Sequence, residues 1–221
     1  YVCQTSWGMT TRIIGALIMV HGDNSGLVMP PKIAPVQVMV IPIQQRKEGV
    51  LDAAYDIAAG LKAFRVKTDD SDRSPGYKFA DQEMRGIPLR IEIGPKDLEN
   101  GKCVLVRRDT GEKIECAIDG VTSKVTELLP MIQSDMLAKA QKHLQTHTFP
   151  ARNKEEFAEA FQETRGFVKA MWCGCRECEE KIKEEMNVTS RCIPFEQENL
   201  SDTCVYCGKP AKKMVYWGRA Y

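Results

Sequence analysis

Four cysteines near the carboxyl end of the chain constrain its fold more than any other feature. Cys173 and Cys178 form a C-x4-C pair, Cys204 and Cys207 form a C-x2-C pair, and 25 residues separate the two pairs. Two short loops that each contribute two thiolates supply the tetrahedral geometry that zinc prefers. Because four thiolates leave no coordination position for water, the pattern predicts a structural Zn2+ site rather than a catalytic one. Such a metal contributes directly to the folding of a small lobe.

Two further cysteines leave alternatives to this set. Cys175 could replace Cys178 in a C-x-C pair, although the C-x4-C spacing leaves both thiolates freer to converge. Cys192 lies in a strand-like run from Arg191 to Phe195 and is expected to pack rather than to bind metal. Buried free thiols without a metal are one alternative for the cluster, and a redox protein that uses Cys175 or Cys178 is another.

Composition and charge narrow the class of protein. Hydrophobic residues make up 43% and charged residues 28% of the 221 residues, which is typical of a globular chain. The formal net charge of +1 gives no general attraction for nucleic acid, so any nucleic acid must meet a local patch. No apolar run approaches the roughly 20 residues of a transmembrane helix, and no secretory signal is present. Clustered cysteines then indicate a reducing compartment, of which the cytoplasm is the simplest.

Strand and helix signals alternate along residues 36–146, which predicts an α/β fold built on a mixed sheet with flanking helices. Residues 36–41 are a continuous apolar run, typical of a buried strand. Apolar side chains then recur at helical spacing over residues 51–61. Residues 64–66 predict a second strand, and residues 69–76 a polar loop.

A strand and a hairpin follow in the same region. Aliphatic residues alternate with Arg90 and Glu92 over residues 89–93, which predicts a strand with one solvated face. Residues 102–118 predict a hairpin in which Gly111 occupies the turn position that requires positive φ. The mixed sheet therefore contains both parallel and antiparallel strands.

One more element ends this region, and others lie on either side of it. Apolar spacing over residues 125–144 predicts an amphipathic helix. Asn153 and Glu156 have the spacing of an N-cap and its reciprocal partner, and residues 167–172 predict a strand. Residues 10–21 predict a buried helix, with a strand as the alternative for so short an apolar run.

Two polar segments are candidates for ligand binding. Thr5 to Arg12 places hydroxyl groups and a glycine before the apolar helix, and arginine is suited to holding phosphate or stacking on a purine. A helix cap with a surface arginine is the alternative. Mixed charges around Ser74-Pro75-Gly76 can read the edges of nucleobases, with a solvated face as the alternative. These charged residues are Lys78, Glu83, Arg85, Arg90, Lys96 and Asp97.

Taken together, long runs of this sequence resemble the C-terminal part of prolyl-tRNA synthetase, of the type found in eukaryotes, archaea and some bacteria. Residues 6–15 resemble motif 3 of the class II catalytic domain, and residues 19–31 resemble the family's run into its anticodon-binding domain. Further similarity to the family is carried by residues 74–79, 86–97, 107–113 and 217–221.

The resemblance implies roles for the residues of both polar segments. Trp7, Gly8, Thr10, Thr11 and Arg12 would bind ATP and proline, with Arg12 as the catalytic arginine that stabilises charge on the triphosphate. The positions that the family uses to read the two guanines of the proline anticodon are Glu83, Arg90, Lys96 and Asp97. The four metal cysteines also match family positions, although some eukaryotic members have C-x-C as the second pair.

The resemblance further implies three domains and a set of partners. Residues 1–34 would end the catalytic domain, residues 35–147 would form a class II anticodon-binding domain with a mixed five-stranded sheet, and residues 148–221 a small α+β zinc-binding domain. The partners would be tRNA(Pro), L-proline and ATP with Mg2+, in a homodimer formed through the catalytic domain. Tyr221 would fold back towards the active site.

One departure from the family pattern limits these expectations. Motifs 1 and 2 of the catalytic domain are not found in this sequence, and the sequence starts at Tyr1 rather than at a methionine. We therefore expect a piece of a longer protein that does not activate proline by itself. The alternative is a non-catalytic tRNA-binding or interaction module with the same anticodon-binding fold.

Overall fold

The computed structural model describes residues 3–163 and 166–219, and the chain divides into two compact units, residues 1–140 and 141–221. Each unit contains one sheet and one principal buried cluster. The finer division at residues 34 and 147 stays a prediction. Among the described residues, no helix combines the length and the apolar character that crossing a membrane requires.

The first unit is built on a five-stranded mixed sheet. In chain order its elements are α1 (Arg12–His21), β1 (Val38–Pro42), α2 (Val50–Gly60), β2 (Val66–Thr68), α3 (Pro75–Met84), β3 (Leu89–Ile93), α4 (Pro95–Glu99), β4 (Lys102–Arg107), β5 (Lys113–Ala117) and the first 20 residues of α5 (Val121–Thr146), whose end belongs to the second unit. The strand order is β2-β1-β3-β4-β5, in which β2, β1 and β3 are parallel and β4 and β5 antiparallel. Gly111 turns the β4–β5 hairpin with a φ of +73°. The predicted mixed sheet and hairpin are thus confirmed.

The two faces of this sheet bury different side chains. On one face Val40 and Ile91 pack with α2 and with residues of α5 such as Leu128. On the other face Met39 packs in a smaller cluster against Phe79 of α3. A fully buried aliphatic side chain contributes roughly 1.5 to 3 kcal/mol, so the larger cluster dominates the stability of this unit. α3, which carries Glu83, lies on this second face.

The prediction that β3 has one solvated face is wrong. All five residues of β3 are buried, and the Arg90 and Glu92 side chains are only 6% and 9% exposed. Arg90 lies against Phe79 of α3, so α3 covers the face that alternation alone assigned to solvent. Both charges tolerate burial because Arg90 Nε donates to Glu92 Oε1 over 2.7 Å.

The predicted helix near the amino end forms, but its predicted burial is wrong. No residue of α1 is buried, and the side chains of Ile13, Met19 and Val20 are 57 to 67% exposed. The segment forms a helix although its three isoleucines and one valine are β-branched. Burial requires a packing partner, and no described element of the first unit buries α1.

Two predicted boundaries shift in the structure. The second strand begins at Val66 rather than at residue 64. The predicted loop over residues 69–76 ends earlier, because α3 starts at Pro75 and the Ser74 hydroxyl accepts a hydrogen bond from Tyr77 N. Proline at the first helical position and serine at the N-cap favour a helix start at this point.

The second unit contains a four-stranded sheet and two helices of its own. After the end of α5 its elements are β6 (Thr148–Ala151), α6 (Lys154–Glu163), β7 (Phe167–Trp172), α7 (Arg176–Met186), β8 (Val188–Cys192) and β9 (Lys213–Arg219), with strand order β6-β7-β9-β8. Phe157 packs edge to face against Phe161 and Trp217, with ring centroids 5.1 and 5.8 Å apart. The predicted strand at residues 167–172 is confirmed.

The structure of this unit also tests the sequence predictions for a helix cap and for Cys192. Asn153 Oδ1 accepts from Glu156 N over 2.8 Å, and Glu156 Oε2 accepts from Arg152 N, so the predicted reciprocal cap forms. The expectation that Cys192 packs is wrong, because Cys192 is exposed at the end of β8, where the strand pairing is irregular. The predicted position of Tyr221 lies outside the described residues.

A buried arginine attaches the segment after α1 to the first sheet. Arg108 forms a bidentate pair with Asp23, with both N–O distances at 2.7 Å, and this hydrogen bonding lowers the pKa of Asp23 from 3.8 to about 2. Because the pKa is depressed on folding, the pair stabilises the protein above about pH 4 and the stabilisation is lost as the pH falls towards 2.

We expect Asp23→Asn to lower the free energy of unfolding by about 1 kcal/mol at pH 6, a figure that allows for the half-exposed Asp23 side chain. Urea unfolding of both proteins between pH 6 and 2 measures the difference, which should shrink as the acid limit is approached. A difference that stays constant with pH would show that the Asp23 carboxylate does not carry the effect.

Candidate functional site

Sulfur atoms of the four predicted metal cysteines meet at one place in the second unit. Sγ atoms of Cys173, Cys178, Cys204 and Cys207 all lie within 4.8 Å of one another. The structure thus groups Cys178, and not Cys175, with the other three. Cys173 and Cys178 are 3.7 Å apart, and Cys173 and Cys207 are 3.8 Å apart.

These separations fit a tetrahedral metal site. Four thiolates bound to one zinc ion at about 2.3 Å lie about 3.8 Å from one another. A disulfide would require sulfur atoms at about 2.0 Å, so the separations of 3.7 and 3.8 Å rule out disulfides between these cysteines and are compatible with ligands around a shared centre. Three of the four cysteines are buried and Cys207 is partly exposed, which closes the site to most solvent.

The local backbone explains how two loops present four sulfur atoms. After Cys204 the chain turns so that Lys209 O accepts from Cys204 N and Cys204 O accepts from Gly208 N. Gly208 has a φ of +69°, a conformation that favours glycine. Cys178 lies in the first turn of α7, where the positive end of the helix dipole favours a thiolate.

Burial and hydrogen bonding act in opposite directions on these thiols. Burial raises the pKa of Cys173 and of Cys178. Burial also opposes ionisation of Cys207, but hydrogen bonds from Lys209 N and from the neighbouring thiols lower the pKa of Cys207 to about 7. The cluster therefore offers a thiolate at neutral pH, and a bound cation would favour ionisation of the remaining thiols.

Cys175 has a structural position just outside this cluster. It is the N-cap residue of α7, and its carbonyl oxygen accepts a hydrogen bond from Cys178 N over 3.2 Å. Its backbone N–H also donates towards the Cys173 thiol. Cys175 thus orients two members of the cluster through its backbone rather than through its sulfur.

The predicted ATP and proline residues lie on an open segment of the first unit. Trp7 is 92% exposed, and Gly8, Thr10 and Thr11 precede α1 in irregular structure or a turn. Arg12 N donates to Thr10 Oγ1 over 3.4 Å. These residues do not line the two cavities described for the first unit, and their roles stay predictions.

Two of the four predicted anticodon residues form one buried charge network. Arg90 Nη1 donates to Glu83 Oε1 over 3.0 Å and to Gln82 Oε1 over 2.9 Å, while Arg90 Nε donates to Glu92. The Arg90 guanidinium also lies 4.3 Å from the ring centroid of Phe79. The Glu83 side chain is 38% exposed, so its carboxylate is held rigidly and still reaches solvent.

Lys96 and Asp97 lie at the other end of β3, on α4. Asp97 Oδ2 accepts from Gly94 N over 2.8 Å and so caps its own helix, and Lys96 is exposed. The four residues therefore divide between the two ends of one strand, and no described contact joins Asp97 to Glu83 or Arg90.

A cavity of about 480 Å³ opens next to Glu83, and we call it the Glu83 cavity. Arg90, Gln82 and the β4–β5 hairpin residues Arg107 and Lys113 also line it. The sequence alone did not predict Gln82, Arg107 and Lys113 as site residues. The strand register that pairs Arg90 with Val106 brings the hairpin beside α3, and this register is not visible in a local pattern. A carboxylate next to cationic donors complements the donors and acceptors on the edge of guanine.

Comparison with known families matches both units. Residues 37–128 match the family described as "Anticodon binding domain", and residues 154–221 match "Prolyl-tRNA synthetase, C-terminal". The first range contains Glu83, Arg90 and the whole Glu83 cavity except its contribution from the segment at residues 23–25. The second range contains the cysteine cluster.

Similarity to individual proteins extends over the entire chain. The proline--tRNA ligase of Lachnoclostridium phytofermentans is 61% identical over 221 residues, which are 100% of this chain and 46% of that relative. The enzymes of the same name from Lachnospira eligens and Clostridium novyi are 60% and 56% identical, again over 100% of this chain and over 47% and 46% of those relatives. The chain spans about half the length of these relatives. Over its whole length the chain is therefore similar to part of the proteins of the prolyl-tRNA synthetase family.

Proposed function

We propose that this chain recognises the anticodon of proline tRNA within a protein that ligates proline to that tRNA with ATP. The observation that carries the proposal is the Glu83 cavity, which lies in the anticodon-binding domain and presents a rigid carboxylate beside arginine and lysine. Since the chain spans about half of its relatives, the ligase activity is proposed for a protein of their length.

The chemistry of the Glu83 cavity supports recognition of guanine. The Glu83 carboxylate can accept hydrogen bonds from the two donor groups on the Watson–Crick edge of guanine, and cationic side chains can donate to its acceptors. Because Arg90 holds Glu83 in place, little conformational entropy is lost when a base binds. Lys96 and Asp97 are proposed to contact the RNA at the other end of β3.

The remaining site residues have supporting roles in this proposal. Arg12 and Thr10, with the neighbouring Trp7, Gly8 and Thr11, would contribute one wall of the site for ATP, Mg2+ and proline. The four clustered cysteines would hold one zinc ion, which offsets part of their negative charge and joins the segment at the start of α7 to the loop before β9. Thiolates of this kind persist in a reducing compartment, and we place the protein in the cytoplasm. The homodimer stays a prediction.

Glu83→Gln tests the recognition proposal with little disturbance of the fold. The amide retains an oxygen that accepts from Arg90 but loses one acceptor for guanine, so we expect binding of a proline-tRNA anticodon hairpin to weaken by roughly 10- to 100-fold. Fluorescence anisotropy with a labelled RNA hairpin measures the affinity.

Glu115→Gln is the matched control, because Glu115 is an exposed carboxylate on β5 that does not line the cavity. This variant should bind as the unmodified chain does. Equal affinity of the unmodified chain for hairpins with unrelated anticodons would contradict the proposed function.

A further inference from the structure

A second cavity lies in the anticodon-binding domain, outside the carboxyl ends of β1 and β2. It has a volume of about 630 Å³, and we call it the Arg46 cavity. Its walls are the loop after β1, with Arg46 and Lys47, the loop after β2, with Asp72 and Arg73, and the first turn of α3. Ligands of open α/β sheets bind outside the carboxyl ends of the strands, so the location itself favours a binding role.

Hydrogen bonds fix the two loops relative to each other. Lys78 of α3 is only 2% exposed, and its Nζ donates to Asp69 O over 2.7 Å and to Gln45 Oε1 over 3.0 Å. Gln45 Nε2 in turn donates to Asp70 O over 2.8 Å. Gln44 adopts a φ of 56°, a conformation that is uncommon for residues other than glycine. The cavity is therefore held open by its own walls before any ligand binds.

Positive charge is concentrated in this cavity although the chain as a whole is nearly neutral. Four cationic residues line it, Arg46, Lys47, Arg73 and Lys78, and Asp72 is its one acidic lining residue among the described residues. Lys78 is buried and paired with Asp69 over 3.9 Å, so Arg46, Lys47 and Arg73 carry the charge that is open to a ligand. Arg46 pairs with Asp72 over 3.2 Å, but both side chains are more than 70% exposed. Such exposed pairs contribute little, so Arg46 can exchange Asp72 for another anion at small cost.

Arg73 is oriented by an aromatic ring. Its guanidinium carbon lies 4.1 Å from the ring centroid of Tyr77, which belongs to the first turn of α3. Stacking restrains the guanidinium plane and leaves its N–H groups free to approach phosphate oxygens in pairs. An exposed arginine whose guanidinium is already stacked on a ring loses less side-chain entropy on binding phosphate than an arginine without such a contact.

We propose that the Arg46 cavity binds backbone phosphates of the RNA whose anticodon bases are read in the Glu83 cavity. The two cavities lie at opposite ends of α3, because Pro75 and Lys78 line one and Gln82 and Glu83 line the other. The ten residues of α3 span about 15 Å, a distance that an RNA stem and loop readily covers. This inference rests on the proposed function, since it assigns a second contact to the same RNA.

Continuity with the end of β3 supports RNA as the occupant. Ile43, which begins the loop after β1, donates its N–H to Ile93 O at the carboxyl end of β3 over 2.8 Å. The proposed RNA contacts on α4 follow directly after that point. The cations of the Arg46 cavity therefore extend an RNA-binding edge rather than form an isolated patch.

The double substitution Arg46→Gln and Arg73→Gln tests this contact in the 221-residue chain. Phosphate contacts position an RNA without reading its sequence, so the variant should bind both a proline anticodon hairpin and one with replaced anticodon guanines about tenfold more weakly. The ratio of the two affinities should not change. The slope of log affinity against log salt concentration should fall by about 1.4 to 1.8 for two lost contacts.

Two matched variants separate this effect from general loss of charge. Lys62→Gln with Lys124→Gln removes the same charge on the side of the sheet covered by α2 and α5, and should leave affinity and slope unchanged. Arg46→Lys with Arg73→Lys keeps the charge and should restore the slope. Both arginines are exposed, so circular dichroism should show an unchanged fold.

Failure of this inference is distinguishable from failure of the proposed function. An unmodified chain that distinguishes the two hairpins, together with a glutamine variant of equal affinity and slope, would overturn the phosphate contact alone. An unmodified chain that does not distinguish the hairpins would overturn both. Inorganic phosphate that binds the unmodified chain but not the glutamine variant, with RNA affinity unchanged, would assign the cavity to a small anion instead of RNA.

Discussion

Replacing Cys204 by serine is expected to abolish metal binding and to unfold much of the second unit. The Cys204 sulfur is one of four that meet within 4.8 Å, and its loss leaves three ligands around a centre built for four. Structural zinc sites contribute an apparent binding free energy on the order of 10 to 16 kcal/mol at neutral pH, which is folding free energy where no site exists in the unfolded state. No other substitution proposed for this chain has an effect of that size.

Metal content and tryptophan fluorescence measure this outcome. The unmodified chain should contain one zinc per molecule, and Cys204→Ser close to none. Trp172 packs against the cysteine cluster and Trp217 lies in the core of the same unit, so their emission should shift towards that of exposed tryptophan. A chelator should produce the same shift in the unmodified chain.

Cys175→Ser is the matched control, because it makes the same chemical change just outside the cluster. This variant should retain one zinc per chain and the unshifted emission. If Cys175→Ser lost zinc as completely as Cys204→Ser, the C-x-C alternative would be favoured over the ligand set that the structure groups together. An unmodified chain purified without a chelator that contained no zinc would contradict the metal proposal.

Replacing Arg90 by methionine is expected to destabilise the first unit by about 3 to 5 kcal/mol. The Arg90 guanidinium contacts Glu92, Glu83 and Gln82, and the Glu92 side chain is only 9% exposed. Removal of one partner of a buried ion pair leaves the other charge without compensation, which is the large part of the cost. Urea unfolding followed by far-ultraviolet circular dichroism measures the change.

A second substitution distinguishes the unpaired charge from lost packing. Glu92→Leu alone should cost less, because Arg90 keeps Glu83 and Gln82 as partners. The double variant Arg90→Met with Glu92→Leu contains neither of the two buried charges, so a large part of the stability lost in Arg90→Met should return. Simple addition of the two single effects would show that Arg90 and Glu92 do not act as a pair.

Much of the fold follows from patterns that short stretches of sequence contain. The apolar run at residues 36–41, the helical spacing over residues 51–61 and the hairpin with Gly111 predict elements that the structure confirms. Each of these signals depends on neighbours within a few residues. The cysteine spacing is of the same kind within each pair, since a short loop brings two sulfur atoms close together.

The arrangement of the candidate site could not be predicted from such local patterns. Glu83 and Arg90 were expected on an RNA-reading surface, but nothing local indicated that Arg90 is buried under α3 or that the hairpin lies beside Glu83. The error for α1 has the same origin, because an apolar helix is buried only where another element covers it. Cys192 was expected to pack because it lies in a strand-like run, but that pattern does not show that the strand ends at Cys192.

The sequence by itself determined the elements, the metal-binding pattern and the family resemblance, because these depend on residue type and on spacing along the chain. Only the tertiary structure decided that Cys178 rather than Cys175 joins the cluster, that the faces of β3 are both buried, and that two cavities lie at the ends of α3. These outcomes depend on strand register and helix packing, which bring together residues such as Gln45 and Lys78 that are far apart in sequence. Contacts of that kind carry the proposed recognition of RNA, and no local pattern encodes them.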